Sequence, residues 1–155
     1  MIELLVTLTI TIILLSMGVY ALHSIGINNR SDVAVNQLVA AIQFARTSAI
    51  QQATTVTFCG SSNGHDCDGN WQAGQLIKTP QQILRVYPAV AAGDHLFWSG
   101  NFSQNAVIEF VSTGFTNGQQ GSFYYCAQQQ QYAKRIVLSL SGRPRVDGNV
   151  AKCLY

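Results

Sequence analysis

The chain has 155 residues, enough for one domain plus a short extra element; an apolar fraction of 48% and a mean hydropathy of +0.16 exclude a disordered or collagen-like chain. Charged residues make up only 10%, against roughly 25% in an ordinary globular protein, which excludes a long charged coiled coil and points to a chain outside the cytosol or partly in lipid. The net charge of +2 is too small for the whole chain to act as a polycation, so any anion binding must be local.

Leu4 to Leu22 is a run of nineteen residues without a charge. At about 1.5 Å rise per residue, such a helix nearly spans the ~30 Å hydrocarbon core of a bilayer. A cleavable signal peptide would carry a basic n-region and a small-residue cleavage site, but the only charge upstream is the acidic Glu3 and no Ala-x-Ala pattern follows Leu22. The expectation is a retained membrane helix. A carboxylate at the head of such a helix is costly and marks Glu3 as a candidate functional residue.

After a soft spot at Gly26 to Asn29, with Ser31 and Asp32 as N-cap candidates, helical periodicity resumes. Val35, Leu38, Val39, Ile42, Ala45, Ala49 and Ile50 fall on one stripe, and Gln37, Gln43, Arg46 and Gln51 on the opposite side. The pattern predicts one long helix, weakened near Gly18 and Gly26, apolar all round in its first half and amphipathic in its second. From Thr54 onward, short β-rich runs alternate with glycine-marked turns: Thr54–Phe58, Gln75–Lys78, Ile83–Tyr87, Leu96–Trp98, Ala106–Val111, Ser122–Cys126 and Arg135–Leu140. Gln128–Gln131 reads as a loop tip.

Four cysteines lie in this β-rich part, none of them spaced C-x-x-C, and no histidine stands at zinc-finger distance. Disulfides in an oxidising compartment fit better than a zinc site. Of the three possible pairings, the economical one is Cys59–Cys67 with Cys126–Cys153, closing loops worth about 2.6 and 3.6 kcal/mol in the chain-entropy model; four reduced, buried cysteines are the alternative. Gly60-Ser61-Ser62-Asn63-Gly64 matches the G-x-S-x-G string of a nucleophile elbow, but no helical pattern follows it. His65-Asp66-Cys67-Asp68 lists ligand-type residues too close together to converge on one metal, and Asp94-His95 has no partner visible in sequence. No acid, base and nucleophile constellation emerges, so neither catalysis, a metal nor a cofactor is expected.

Met1-Ile2-Glu3-Leu4-Leu5-Val6-Thr7-Leu8 resembles the start of type IV pilins and pseudopilins, whose mature chains open Phe-Thr-Leu-Ile-Glu-Leu after a short basic leader. Under that resemblance Met1 stands at the third mature position, and the leader and the first two mature residues are lacking. The residue matching Glu3 pairs with a neighbour's N-terminal amine during filament assembly. Phe58-Cys59, the Ser/Gly loop, Cys67, Trp71 and Gly74 resemble the minor-pilin branch called FimT/GspH. So do Cys126, the Arg135-Ile136-Val137-Leu138 strand and the ending Ser141-Gly142-Arg143-Pro144-Arg145. The Gly-Arg-x-Arg ending is similar to that of FimT minor pilins, which bind DNA in natural transformation.

Charge supports that resemblance independently. Residues 130–155 hold Lys134, Arg135, Arg143, Arg145 and Lys152 against Asp147, five bases less one acid or +4; the rest of the chain has four bases and six acids, or −2. Pro144 fixes its own φ and pushes Arg143 into an extended conformation. In extended chain, residues i and i+2 share a face about 6.6 Å apart, so Arg143 and Arg145 can reach one phosphate strand together. Gly142 supplies the turn that points them outward, and guanidinium suits phosphate because its donors form a planar fork. The competing reading of the same residues is a solvated hairpin whose arginines keep an edge strand soluble. Tyr124, Tyr125, Tyr132 and Tyr155 stand nearby and are either base-stacking or structural aromatics.

The expectation is therefore an α+β chain in which a long N-terminal helix packs on an antiparallel β-sheet or β-sandwich. Residues 1–27 form the membrane and filament-core half, and residues 28–155 the globular domain, with half-helix 31–53 and β-domain 54–155. The resemblance implies an inner-membrane subunit with a periplasmic domain that later enters an extracellular pilus. Its partners would be other pilin subunits and DNA, bound mostly through phosphate by Arg143, Arg145, Gly142, Lys134, Arg135 and Lys152. The alternative is a purely structural subunit that helps initiate or cap a type IV pilus or a type II secretion pseudopilus.

Overall fold

The computed structural model describes residues 2–101, 107–128 and 132–153; the side chains of residues 15–28, 132 and 149–152 stand outside the description. Helix α1 runs unbroken over Ile2–Gln51. This is the one long helix the pattern predicts, without a break at the soft spot near Gly26, and Ser31, an N-cap candidate, lies buried inside it. One interior glycine costs about 1 kcal/mol, less than ending and renucleating a helix. Ile2, Leu4, Leu5, Leu8 and Leu14 are exposed, without protein cover. Among the described residues no helix is long and apolar enough to cross a membrane; residues 15–22 of the apolar run are among those without side-chain description.

The second half of α1 buries Ser31, Val35, Leu38, Ala41, Ile42, Ala45, Ser48 and Ala49. Five of these eight are alanine or serine, which lets the helix axis approach the sheets closely. Val39 is only partly buried, and Ile50 lies exposed over Gly114. The helix ends in a Schellman motif: Thr54 N–H donates to the Ala49 carbonyl at 3.2 Å and Ala53 N–H to that of Ile50 at 3.3 Å, with Ala53 at φ +48°.

Among the described residues eight strands follow: β1 Val56–Gly60, β2 Gln75–Lys78, β3 Ile83–Tyr87, β4 His95–Gly100, β5 Val107–Phe110, β6 Gly121–Cys126, β7 Tyr132–Leu138 and β8 Pro144–Lys152. They form two antiparallel sheets, ordered β3-β2-β1-β5 and β4-β6-β7-β8. Thr54 belongs to the helix cap, so β1 begins two residues later than expected. Ala106 and Gln129–Gln131 lie outside the described residues. The sequence reading contained no β8. Asp147, Gly148 and Asn149 have turn chemistry, yet Asp147 pairs with Arg135 and Asn149 with Lys134, Gly148 being the extra residue at a register shift. β8 is an edge strand.

The sheets meet over an aromatic cluster. Phe58 and Trp71 stand 5.0 Å apart, Trp71 and Phe123 4.7 Å, and Phe123 and Trp98 4.7 Å, mostly tilted or edge-on. Val56, Ile108, Phe110, Ile136 and Leu138 fill the space beneath the helix. Disulfides join Cys59 to Cys67 and Cys126 to Cys153; the second ties the end of β8 back to β6. A polar knot locks the helix in place. The fully buried carboxylate of Asp94 accepts from Arg30 of α1, from the Tyr125 hydroxyl of β6 and, at 2.9 Å, from the backbone N–H of Gln128. Burial first, and then the hydrogen bond to Asp94, push the Tyr125 phenol well above the usual tyrosine range.

Candidate nucleic-acid interface

The basic end is built on the β7–β8 hairpin. Its turn closes through the Gly142 N–H, which donates to the Ser139 carbonyl at 2.9 Å, and the Leu140 carbonyl is held by Thr116 N–H at 2.9 Å. Gly142 has φ +71°, and a Cβ there would stand 2.3 Å from the Gly114 carbonyl oxygen and 3.2 Å from Arg46 Cδ. Glycine is required both for backbone conformation and for space. Arg143 leaves this turn exposed, and Pro144 opens β8.

Register then sorts the charges. Val137 faces Arg145 and Arg135 faces Asp147, so these four side chains lie on one face of the sheet. Arg135 donates to Asp147 at 2.5 Å, while its covered Nε has no partner among the described residues. The Arg135 guanidinium holds the Asp147 carboxyl below the usual carboxylate range, and Asp147, with Tyr124, holds Arg135 more firmly protonated. Arg145 touches the same carboxylate from Nε at 3.3 Å, but its side chain remains 74% exposed. Continuing the row across the sheet, Arg135 neighbours Tyr124, which stacks on Phe97 at 5.2 Å with planes 13° apart. Tyr125 points the other way, into the core.

The structure thus divides the six expected residues. Gly142, Arg143 and Arg145 come together at the turn and the start of the edge strand, with Arg135 beside Arg145 through their common acid. Lys134, at the register shift, instead pairs with Asp32 of α1, and its side chain is only 17% exposed. Lys152 is opposite Tyr132 in the β7–β8 register, and its side chain lies outside the description. Sequence reasoning missed Arg46, which reaches the turn from the helix and donates from Nε to the Gly114 carbonyl at 3.0 Å. Its place on the polar helix face was visible in the pattern, but nothing local showed that a turn nearly a hundred residues later would meet it. Glu3 sits in the first turn of α1.

The catalytic-looking strings resolve into loop chemistry. Ser62 Oγ accepts from Asn70, and Ser62 N–H donates to Asp68 at 2.9 Å. Hydrogen bonds from Asn70 and Ser62 hold the Asp68 carboxyl below its usual range. Asn63 Oδ1 accepts from the N–H groups of His65 and Asp66, folding the loop that the Cys59–Cys67 bridge closes.

A helix whose apolar opening residues, 2–14, are exposed and whose second half packs on two antiparallel sheets is the architecture of a type IV pilin-like subunit. The family model described as type II transport protein GspH matches residues 34–142, and the chain belongs to that family, the GspH/FimT group of type IV minor pilins. The match stops at Gly142, so Arg143 and Arg145 lie just beyond it. Two crystal structures of the type IV minor pilin FimU of Pseudomonas aeruginosa strain PAO1 share the fold. One has a TM-score of 0.64 at 17% identity, covering 81% of this chain and 94% of that one. The other, in a second space group, has a TM-score of 0.62 at 16% identity, covering 79% and 96%. No curated protein matches the chain.

Proposed function

We propose that this minor pilin binds extracellular DNA for uptake in natural transformation, in the manner of the FimT minor pilins its ending resembles. One observation carries the reading: Arg143 and Arg145 are presented together at an edge-strand start, and Arg143 has no carboxylate partner among the described residues. Phosphate contacts dominate sequence-independent affinity, and exposed guanidiniums on an extended segment supply them. Lys134 is already neutralised by Asp32, so it contributes through the long-range field alone. Apolar residues 4–22 would anchor the subunit in the inner membrane before assembly, Glu3 would set register against a neighbouring pilin, and the remaining partners would be other pilin subunits.

The test is binding of the full chain, in non-ionic detergent, to a labelled random-sequence duplex as salt is raised. Two to three engaged phosphates give a log–log slope of about −2 to −3. Sequence-indifferent binding with that slope supports the reading. No binding at low salt overturns it and leaves the structural-subunit role.

A further inference from the structure

We propose that Arg46 and Arg143 form a phosphate-binding subsite in the cleft between helix α1 and the β7–β8 turn. The cleft encloses about 390 Å³ and is lined by Gln43, Arg46, Thr47, Arg143 and Pro144. Its lining contains two guanidiniums, an amide, a hydroxyl and no carboxylate. Arg46 Nε is fixed on the Gly114 carbonyl at 3.0 Å, and its two terminal nitrogens have no protein partner among the described residues. That anchor pre-orients the fork, so less side-chain freedom is lost when an anion arrives.

The glycines around the cleft explain why the helix and turn can meet there. A Cβ at Gly142 would press on Arg46 Cδ at 3.2 Å and on the Gly114 carbonyl at 2.3 Å. A Cβ at Gly114 would press on Arg46 Nε at 3.2 Å and on Ile50 at 2.7 Å. Both bare backbones therefore make room for the stem of Arg46. The glycine ahead of Arg143 does more than turn the chain: it seats an arginine from the helix beside the arginine of the turn. Among the basic residues with described side chains, Arg30, Lys134, Arg135 and Arg145 each contact a carboxylate, Arg85 lies over the Phe44 ring at 4.2 Å, and Lys78 stands apart from the cleft, with its Nζ 3.5 Å from the His65 carbonyl. Arg46 and Arg143 border one cleft with neither carboxylate nor ring against them. Two like charges held together without an acid favour an incoming anion. The ligand chemistry is a phosphate oxyanion. Resting on the DNA reading, the source is a backbone phosphodiester, and the strand would run from the α1 flank over the turn toward Arg145.

The experiment uses the full chain in non-ionic detergent with two probes, random-sequence duplex DNA and tripolyphosphate, on wild type, Arg46→Gln and Gln43→Glu. Gln43 is exposed and anchors nothing, so Gln43→Glu places an acid in the cleft without disturbing the fold even where Arg46→Gln loosens the turn. Expected for duplex is a loss of about tenfold with Arg46→Gln, a salt slope shallower by about 0.9, and a loss of about fivefold with Gln43→Glu. Tripolyphosphate should shift the amide resonances of Gln43, Thr47 and Arg143 in wild type and not in Gln43→Glu. Wild-type DNA binding that neither substitution weakens overturns the subsite and leaves DNA binding standing. Tripolyphosphate shifts at the cleft without any duplex binding keep the subsite for free polyphosphates and overturn the DNA reading. Neither duplex binding nor tripolyphosphate shifts would sink both.

Discussion

Among the described residues two carboxylates meet arginine, and they do opposite work. Asp94 is fully buried and gathers a helix residue, a strand hydroxyl and a loop amide that are far apart in sequence. Asp147 lies within a single hairpin, its side chain 20% exposed, and is shared by Arg135 and Arg145. Burial makes the difference. Around Asp94 the buried Tyr125 hydroxyl would be left unsatisfied without the acid, so the cluster is structural. Around Asp147 water can replace any partner, so the acid sets how much positive charge the edge strand shows.

The largest effect should come from breaking the buried member. Asp94→Ala strands the Tyr125 hydroxyl and the Gln128 amide and should cost about 3 kcal/mol in urea unfolding. Arg30→Gln should cost about 1 kcal/mol or less, because that side chain is 45% exposed. The knot also has a pH signature. Since the folded phenol of Tyr125 titrates above its unfolded value of about 10, its contribution is complete below that pH and is lost as pH rises through the folded value. Phenolate absorbance should therefore show one tyrosine lagging the others, and Asp94→Ala should bring it only part of the way back, because burial, the larger cause, remains. A tyrosine set titrating as one group in the wild type would contradict the buried pairing.

Next in size is the exposed member. Replacing Arg143 and Arg145 together by Gln should weaken duplex binding by about tenfold to a hundredfold, about 1 to 2 salt-slope units, while stability moves by under about 0.5 kcal/mol. Unchanged affinity at matched salt would falsify the proposed DNA contact. A large drop in melting temperature would show instead that the turn depends on them for packing.

What the sequence disclosed follows the same division. The buried stripe from Val35 to Ala49 and the aromatic-rich strands repeat at local periods, so pattern alone located them. The Cys59–Cys67 loop closes over eight residues, and loop economy pointed to that pair. Asp94 was opaque because its partners stand 64 and 31 residues away, and Lys134 looked free because Asp32 is 102 residues distant. β8 was hidden because Asp147-Gly148-Asn149 carries turn residues, and only pairing with β7 and the Cys126–Cys153 bridge hold it extended. Arg46 showed its helix face but not the glycine turn facing it.

A smaller effect should follow from Asp147→Asn. It removes the acid shared by Arg135 and Arg145 and should tighten duplex binding about threefold, with a steeper salt slope. Stability should fall slightly, since Arg135 loses its one charged partner on a partly exposed surface.

The finest test uses pH on that same pair. Asp147 is held ionised by Arg135, so its carboxyl titrates below the usual range. A depressed carboxyl contributes its stability above the unfolded pKa and loses it as pH falls through the folded one. Between pH 7 and about 5, both Asp147 and the phosphates stay ionised, and Arg145 keeps its partner unchanged. The affinity ratio of Asp147→Asn to wild type should therefore stay constant over that span, whatever other groups titrate, because they titrate in both proteins. Only below about pH 4 should the ratio fall toward one, as the wild-type carboxyl gains its proton and comes to resemble the asparagine. A ratio already closing between about pH 4 and 5, where a free aspartate begins to gain its proton, would mean that Arg135 does not hold Asp147 in solution, and that the edge strand presents both arginines unshared.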